Sequence, residues 1–243
     1  MLDPSGNLYG TTKKGGTNSY GTLFRLAPDG TFTTLHSFAG TNTRGPDGAY
    51  PESGLVRDAA GNLYGTTFAG GIKGLGSLFK LAANGTYTVL RSLTHGDGIR
   101  PLAPLIQDAS GNLYGTASAG GVRGFGTIFK LAPDGTFTVL YNFLGRPNFD
   151  GSSSRGGLVF DKAGNLYGTT LNGGAGSPLE IDLGTIFQLA PNGTYTVLHS
   201  FVANTADGTH PYAGLLMDTS GALYGTASAG GASGFGMVFK LIP

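Results

Sequence analysis

Leu-Tyr-Gly-Thr-Ala-Ser-Ala-Gly-Gly at residues 113–121, with Gly-Thr-Ile-Phe-Lys-Leu-Ala-Pro-Asp-Gly-Thr-Phe-Thr-Val-Leu at residues 126–140, is the stretch that decides the fold of this chain. Both phrases recur. The phrase Gly-Asn-Leu-Tyr-Gly-Thr begins at residues 6, 61, 111 and 164, and again at residue 221 with Ala222 in place of Asn. The copies are 50–57 residues apart, a spacing typical of propeller blades and related repeat arrays.

Each repeat contains four short runs, which we label A to D in chain order. In the third copy they are residues 104–108, 113–116, 127–131 and 136–143. The runs are rich in aromatic and β-branched residues, and Gly, Asn, Asp and Pro separate them, as in strands joined by turns. No useful length of sequence has helical periodicity. The sequence therefore predicts an all-β chain, a β-propeller of five four-stranded antiparallel blades.

The five repeats predict one domain, residues 1–243, with blades at approximately 1–53, 54–103, 104–156, 157–213 and 214–243. Run D occurs four times and is absent from the fifth repeat. One blade is therefore predicted to have three strands and an exposed edge, and exposed edges invite pairing. We expect a closed five-bladed ring. An open arc or a ring completed by two chains is the alternative. The incomplete blade also means either that the chain is a fragment of a longer array or that a neighbouring chain covers the edge by self-association.

Composition limits the functional classes. The 15 Lys and Arg balance the 14 Asp and Glu to a net charge of +1, which does not supply the basic face of a nucleic-acid-binding protein. The chain has no Cys, so disulfides, thiolate metal sites and a Cys nucleophile are excluded. No apolar run approaches the length of a membrane-spanning helix, so no membrane insertion is expected.

The full repeat, from Leu-Tyr-Gly-Thr-Thr-x-x-Gly-Gly to Thr-Tyr-Thr-Val-Leu-His-Ser-Phe, resembles the bacterial GloVer-type tandem repeat. Its blade layout is also similar to that of NHL-type propellers. The resemblance covers nearly the whole chain and implies an extracellular or surface-anchored bacterial β-propeller, with a signal peptide that this chain does not include. The family has no agreed catalytic residues, so the resemblance assigns no active site.

Strand alternation predicts two different faces. The A–B and C–D turns on one face are nearly identical between repeats, and the A–B turns begin with an Asp of turn-forming character. The B–C and D–A loops on the other face carry the residues that differ, so a ligand is expected there. The candidate ligand-binding residues are Tyr50, Arg100, Arg155, His210 and Tyr212 in the D–A loops, and Tyr20, Phe125 and Phe235 in the B–C loops.

Metal and catalytic candidates are few. Each of four D–A loops has an Asp-Gly pair, and these Asp residues are candidate Ca²⁺ ligands, with turn formation as the alternative: Asp47, Asp97, Asp150 and Asp207. Glu180 and Asp182 lie in an insertion in the fourth repeat and are the candidate catalytic acids, with a solvated loop as the alternative. His36 and His199 share one position in run D and are interpreted as outer-strand surface residues.

The similarity of the repeats favours binding over catalysis, because an enzyme must place an acid, a base and a substrate asymmetrically. The leading hypothesis is a non-catalytic binding or interaction module whose partner is a glycan or a surface protein, with multivalency raising weak affinities. A structural spacer or assembly scaffold is the first alternative. A hydrolase or lyase that uses the fourth-repeat insertion is the second. No cofactor is expected apart from Ca²⁺.

Overall fold

The computed structural model describes residues 1–40, 47–145, 149–175, 183–202 and 207–243. Every regular element in these ranges is a β-strand. Within the same ranges, the structure has no helix that is long and apolar enough to cross a membrane. The chain is therefore all-β, as its sequence predicts.

Five antiparallel sheets of three or four strands follow one another along the described chain, and each pairs neighbouring strands in the order of the runs A to D. Sheets 2, 3 and 4 have four strands, whereas sheets 1 and 5 have three. Sheet 1 contains β1 (Leu8–Thr12), β2 (Thr22–Leu26) and β3 (Phe32–Ser37), and sheet 2 contains β5 (Val56–Arg57), β6 (Leu63–Thr67), β8 (Ser77–Leu81) and β9 (Tyr87–Ser92). Sheet 3 contains β10 (Ile106–Gln107), β11 (Leu113–Ala117), β12 (Thr127–Leu131) and β13 (Phe137–Asn142), and sheet 4 contains β14 (Val159–Phe160), β15 (Leu166–Thr170), β16 (Thr185–Leu189) and β17 (Tyr195–Ser200). Sheet 5 contains β19 (Leu216–Met217), β20 (Leu223–Ala227) and β22 (Met237–Leu241). Two further sheets have two short strands each: β4 (Gly48–Ala49) with β7 (Ala69–Gly70), and β18 (Gly208–Thr209) with β21 (Ala229–Gly230).

Two sheets, rather than the one predicted, have three named strands. In sheet 5 run D is missing, as expected. In sheet 1 run A is reduced to a single bridge between Leu2 and Leu8. The predicted four-stranded antiparallel unit is confirmed in sheets 2, 3 and 4, whereas the prediction of one three-stranded blade differs from the two three-stranded sheets observed.

A glycine–phenylalanine pair couples runs B and C in every sheet. In sheet 3, Gly115 lies opposite Phe129, and a Cβ added to Gly115 would lie 2.7 Å from Phe129 Cζ. The ring thus occupies the space that only glycine leaves open, which explains why the two sequence phrases always occur together. The other pairs are Gly10 with Phe24, Gly65 with Phe79, Gly168 with Phe187 and Gly225 with Phe239.

Apolar side chains of consecutive sheets pack into four clusters. The cluster between sheets 2 and 3 contains Leu78 and Leu93 from one sheet and Leu113 and Phe129 from the next. Equivalent clusters join sheets 1 and 2, sheets 3 and 4, and sheets 4 and 5. Removing this apolar surface from water is the main stabilising term of such a fold. The core is therefore a row of interfaces between sheets.

The outer faces of the first and last sheets are exposed. Leu8 is 47% exposed, although its repeat equivalent Leu113 is 3% exposed. Val238 is 74% exposed, whereas its equivalent Ile128 is fully buried. In the described part of the chain no apolar cluster joins sheet 5 to sheet 1. The described sheets form an open succession, so the expected closed ring is wrong: no neighbouring sheet covers these side chains.

The repeated Asp of the A–B turns organises its own turn. Asp108 Oδ1 accepts hydrogen bonds from the backbone N–H groups of Ser110 and Asn112, each at 2.9 Å. Asp108 Oδ2 accepts from Asn112 Nδ2 at 2.7 Å and from the Tyr114 hydroxyl at 3.1 Å. Burial raises the pKa of Asp108, but the hydrogen bonds outweigh it and hold the pKa below its usual value. The predicted turn-forming role is confirmed.

We expect the free energy of unfolding to decrease as the pH falls below about 4. The carboxyl groups of this set all have a lowered pKa in the folded state, and such a group stabilises the fold above its unfolded pKa of about 3.9. That contribution is lost as the pH falls through the folded pKa. The set is Asp3, Asp58, Asp108, Asp161 and Asp218, the last with a pKa of about 2.

Urea unfolding at a series of pH values from about 5 to about 2 measures this loss. The Asp108→Asn variant lacks one of the five carboxyl groups and should show a shallower dependence of unfolding free energy on pH than the parent protein. Equal slopes for the two proteins would contradict the role of this turn.

Candidate functional site

The B–C and D–A loops lie together on one side of the fold, which we call the loop face. Each D–A loop pairs with the B–C loop of the next sheet. The pairings are β4 with β7, β18 with β21, and the single bridges Ile99–Ala119 and Ser152–Asn172. This arrangement agrees with the two faces predicted from strand alternation.

Glycine makes this close approach of the two loops possible. Gly70 has a φ of +84°, and a Cβ at this position would lie 2.6 Å from the backbone nitrogen of Ala49. At the equivalent Gly120 a Cβ would lie 2.9 Å from the carbonyl oxygen of His95. A side chain would force the backbones apart. The Gly-Gly pairs of the B–C loops therefore set the geometry of the loop face.

At one equivalent position of the four D–A loops the residue has a left-handed backbone although it is not glycine, and the loop between sheets 3 and 4 has a second such residue, Phe149 (φ 57°). We call the four equivalent residues the left-handed positions: Tyr50 (φ 55°), Arg100 (φ 56°), Ser153 (φ 55°) and His210 (φ 56°). Such a conformation costs a non-glycine residue roughly 1–2 kcal/mol. Since four different side chains share one φ, the loop backbone imposes the conformation.

Two hydrogen bonds hold each left-handed position between neighbouring sheets. The N–H of Tyr50 donates to the carbonyl of Tyr20 at 2.8 Å, and the carbonyl of Tyr50 accepts from the N–H of Phe68 at 3.0 Å. The corresponding partners are Leu75 and Ser118 for Arg100, Phe125 and Leu171 for Ser153, and Leu183 and Ser228 for His210. These bonds compensate for the backbone strain, and they place four unlike side chains at one repeated position.

The side chains at the left-handed positions combine aromatic and cationic groups. The rings of Tyr50 and Tyr20 make an edge contact at 5.6 Å between centroids. The exposed guanidinium of Arg100 lies 5.6 Å from the centroid of the Phe68 ring. His210 Nδ1 lies 3.1 Å from the Thr209 hydroxyl. Such groups stack on apolar ligand faces and donate hydrogen bonds to ligand oxygens.

A second variable position lies two residues further along each D–A loop. Arg155 and Tyr212 occupy it in neighbouring loops, with 2.8 Å between Arg155 Nη1 and the Tyr212 hydroxyl and 5.2 Å between the guanidinium and the ring centroid. Tyr212 is 52% exposed. Arg155 Nε is buried and has no hydrogen-bond partner among the described atoms. Glu52, at the same position, forms a 2.9 Å ion pair with Lys13.

The structure corrects the register of the third D–A loop, which joins sheets 3 and 4. The sequence groups Arg155 with Tyr50, Arg100 and His210 as candidate residues of the D–A loops, but Ser153 holds the left-handed position in this loop. The residue types favour the charged side chain as the equivalent residue, because the φ angle of a residue cannot be inferred from its identity. Arg155 instead belongs with Tyr212, and the two form one contact.

The three aromatic candidates in the B–C loops divide into two kinds. The rings of Tyr20 and Phe125 lie over Gly40 and Gly145, where an added Cβ would come within 2.8 Å of each ring. These two rings therefore anchor the chain that follows run D. Phe235 is 92% exposed, because sheet 5 has no run D to supply the equivalent glycine.

The Asp-Gly residues of the D–A loops are paired with side chains from run D. Asp47 lies 3.2 Å from His36 Nε2, and Asp207 lies 2.9 Å from His199 Nε2. Asp97 binds Arg91 through both carboxylate oxygens, the shorter contact being 2.7 Å, and Asp150 accepts from the Tyr141 hydroxyl at 2.7 Å. The side chain of His36 is partly buried, with its ring stacked on Tyr87 of the next sheet, so its interpretation as a surface residue is wrong. The side chain of His199 is 36% exposed.

Each of these Asp residues accepts a hydrogen bond from a backbone N–H group of its own loop. Burial raises the pKa of Asp47, but hydrogen bonds from His36 and from the N–H groups of Ala39 and Gly48 outweigh it and leave the pKa below its usual value. The described residues contain no group of three or more His, Asp or Glu side chains placed to hold a metal ion. The predicted catalytic acids, Glu180 and Asp182, lie outside the described residues.

Two of the cavities that the described residues form on the opposite side, among the A–B and C–D turns, are large. One of about 580 Å³ lies between sheets 2 and 3 and is lined by Tyr64, Lys80 and Gln107 among others. The other, of about 610 Å³, lies between sheets 4 and 5 beside Phe160 and Met217. Their lining residues are nearly the same in every repeat, so the sequence alone assigns these residues to turns and does not predict a cavity.

Known structures share this architecture. A streptogramin B lyase structure aligns with a TM-score of 0.60 and 14% identity, covering 100% of this chain and 68% of that one. A gluconolactonase from Xanthomonas campestris aligns with a TM-score of 0.50 and 18% identity, covering 91% and 68%. The extracellular domain of a protein assigned to a hybrid two-component system of B. thetaiotaomicron aligns with a TM-score of 0.56 and 12% identity, covering 98% of this chain and 27% of that one.

At these identities the likeness shows a propeller-like fold alone. Comparison with curated proteins gave no significant match. A family model does match: the Gloeobacter/Verrucomicrobia repeat aligns with residues 1–177 and with residues 145–243, and the two matches overlap. Together they cover the whole chain, in agreement with the resemblance found in its repeated phrases. The chain belongs to the Gloeobacter/Verrucomicrobia repeat family.

Proposed function

We propose that this chain is a non-catalytic binding module of a secreted or surface-exposed bacterial protein, and that its ligand, a glycan, binds on the loop face. In this proposal the five sheets are successive blades of one propeller domain, with boundaries near residues 53, 103, 156 and 213. The described residues of the fifth blade form three strands.

The left-handed positions are the observation that carries the proposal. The backbone there is the same in four loops to within a few degrees of φ, while the side chains are Tyr50, Arg100, Ser153 and His210. The turns on the opposite side keep nearly the same residues in every repeat. A strained backbone that presents a different group in each repeat is typical of binding sites carried on a rigid scaffold.

The chemistry of the loop face suits a ligand rich in hydroxyl groups. Tyr50 and Tyr212 offer ring faces, and Arg100 and Arg155 offer several hydrogen-bond donors each. The loop face also exposes Val122, which is 80% exposed and offers apolar contact. Sugars present both apolar ring faces and hydroxyl oxygens, so aromatic and guanidinium groups side by side are suited to them.

The extracellular location in the proposal has separate support. The B. thetaiotaomicron structure that resembles this fold is an extracellular domain. A second extracellular domain from that organism aligns with a TM-score of 0.58. The lyase and lactonase structures resemble this chain at 18% identity or less, and the described acids of the loop face are engaged in pairs, so a binding role is favoured over a hydrolytic one.

The proposal is tested with an array of mono- and oligosaccharides, with and without Ca²⁺, followed by titration of any sugar that binds. We expect Arg100→Ala to weaken the affinity at least tenfold, since a hydrogen bond to a charged group contributes about 1.5–3 kcal/mol. Lys162→Ala is the matched control, because it removes an exposed cation on the opposite face and should leave the affinity unchanged.

An array with no bound sugar in either condition would overturn the proposal. Equal losses of affinity in the two variants would also overturn it, since binding would then depend on net charge rather than on the loop face. Thermal unfolding gives an independent readout: a sugar present at 100 times its dissociation constant should add about 2.7 kcal/mol of stability.

A further inference from the structure

Strand β22 in sheet 5 has an open outer edge. In the other four sheets the run C strand pairs with a run D strand, as β12 does with β13. Within the described part of the chain, β22 pairs with β20 alone. Its outward N–H and C=O groups are a template for a further strand, and Val238 on this strand is 74% exposed.

A cavity of about 280 Å³ lies beside this edge. It is lined by Ile186, His199, Phe201 and Asp207 from sheet 4 and its following loop, and by β22 from sheet 5. In the other interfaces the first aromatic residue of the next run D occupies the corresponding place. Tyr87 stacks on His36 with 3.7 Å between ring centroids, and Tyr195 stacks on Tyr141 with 4.0 Å.

The cavity already has the geometry of the occupied interfaces. His199 and Phe201 make an edge contact at 4.9 Å, and His36 and Phe38 make the same contact at 5.0 Å. Phe201 lies 5.4 Å from Phe239, and Phe38 lies 5.4 Å from Phe79. Asp207 Oδ2 lies 2.9 Å from Nε2 of His199 and fixes the orientation of the ring. Among the described residues, no ring from a further strand completes these groups at the interface between sheets 4 and 5.

We propose that the edge of β22 and this cavity form an acceptor site for an extended peptide of the run D pattern, Thr-(Tyr/Phe)-Thr-Val-Leu. The peptide adds a strand to β22, and its aromatic side chain fills the cavity and stacks on His199. Backbone hydrogen bonds supply affinity and the aromatic pocket supplies selectivity, as in other cases of strand addition. The site lies apart from the left-handed positions, so it does not depend on the proposed glycan binding.

A synthetic peptide with the sequence of residues 193–201, Gly-Thr-Tyr-Thr-Val-Leu-His-Ser-Phe, tests the site when labelled and titrated with the whole chain in fluorescence anisotropy. We expect saturable binding, and at least tenfold weaker binding of the peptide that has Ala in place of its Tyr. Hydrogen exchange should show new protection of the β22 amides in the complex.

Two protein variants distinguish peptide binding at this site from nonspecific binding. His199→Ala should weaken peptide binding at least fivefold. His36→Ala is the matched control, since His36 has the same repeat position but is already covered by Tyr87, and it should bind the peptide as the parent chain does. The proposal is overturned by no binding at about 1 mM peptide, by equal binding of the Tyr and Ala peptides, or by equal effects of the two His variants.

Discussion

Replacing Leu113 with alanine is expected to lower the free energy of unfolding by about 2–5 kcal/mol, whereas the same replacement at Leu8 should cost less than about 1 kcal/mol. Both residues are the leucine of the Leu-Tyr-Gly-Thr phrase, on equivalent strands. Leu113 is 3% exposed and packs with Leu78 and Leu93 of the preceding sheet. Leu8 is 47% exposed, so truncating it leaves no cavity.

Urea unfolding of the two variants beside the parent chain measures the difference, with sedimentation to establish that all three are monomeric. The comparison is well matched because residue type, strand position and neighbouring sequence are the same. Equal losses of stability in the monomeric variants would contradict the open arrangement of the sheets. They would mean that Leu8 is covered in solution as Leu113 is.

Gly126→Ala is expected to cost roughly 2–5 kcal/mol, and Gly124→Ala in the same loop only about 1–2 kcal/mol. Both glycines have a positive φ, 104° and 83°, and alanine in such a conformation costs roughly 1–2 kcal/mol. Only Gly126 adds a steric conflict, because its Cβ would meet the carbonyl oxygen of Ala117. Forcing atoms into such a filled space costs typically about 1–3 kcal/mol more.

The backbone of Gly126 also links two other segments of the chain by hydrogen bonds. Its N–H donates to the carbonyl of Gly120 at 2.9 Å, and its carbonyl accepts from the N–H of Phe143 at 3.0 Å. Gly124 has no heavy atom within 4 Å of its Cβ position. Thermal and urea unfolding of both variants provide the measurement. If the two substitutions lower the free energy of unfolding by the same amount, the positive φ alone accounts for the effect. The predicted steric conflict with Ala117 would then be wrong.

The pattern of strands and turns was predictable from the sequence because it depends on local interactions. Each Asp that begins an A–B turn binds groups only two to six residues away, as Asp108 binds Ser110, Asn112 and Tyr114. The recurrence of Gly115 and Phe129 in register reflects contact between adjacent strands. Repetition of such local units made the all-β architecture and the two faces predictable.

Other features depend on contacts between repeats, and the sequence did not show them. Ser153 rather than Arg155 takes the left-handed position, because the loop geometry and not the residue type selects it. His36 and His199 look alike in the sequence, yet a ring from the next sheet covers His36 while a cavity adjoins His199.

By itself, the sequence determined the repeat, the strand order and the face on which the repeats differ, because turn chemistry and alternation act over a few residues. The tertiary structure alone decided which copies of one phrase are buried. Leu8 and Leu113 are the same residue in the same phrase, and so are His36 and His199. They differ in burial because burial depends on the neighbouring sheet. The sequence of a single strand does not indicate whether such a neighbouring sheet is present.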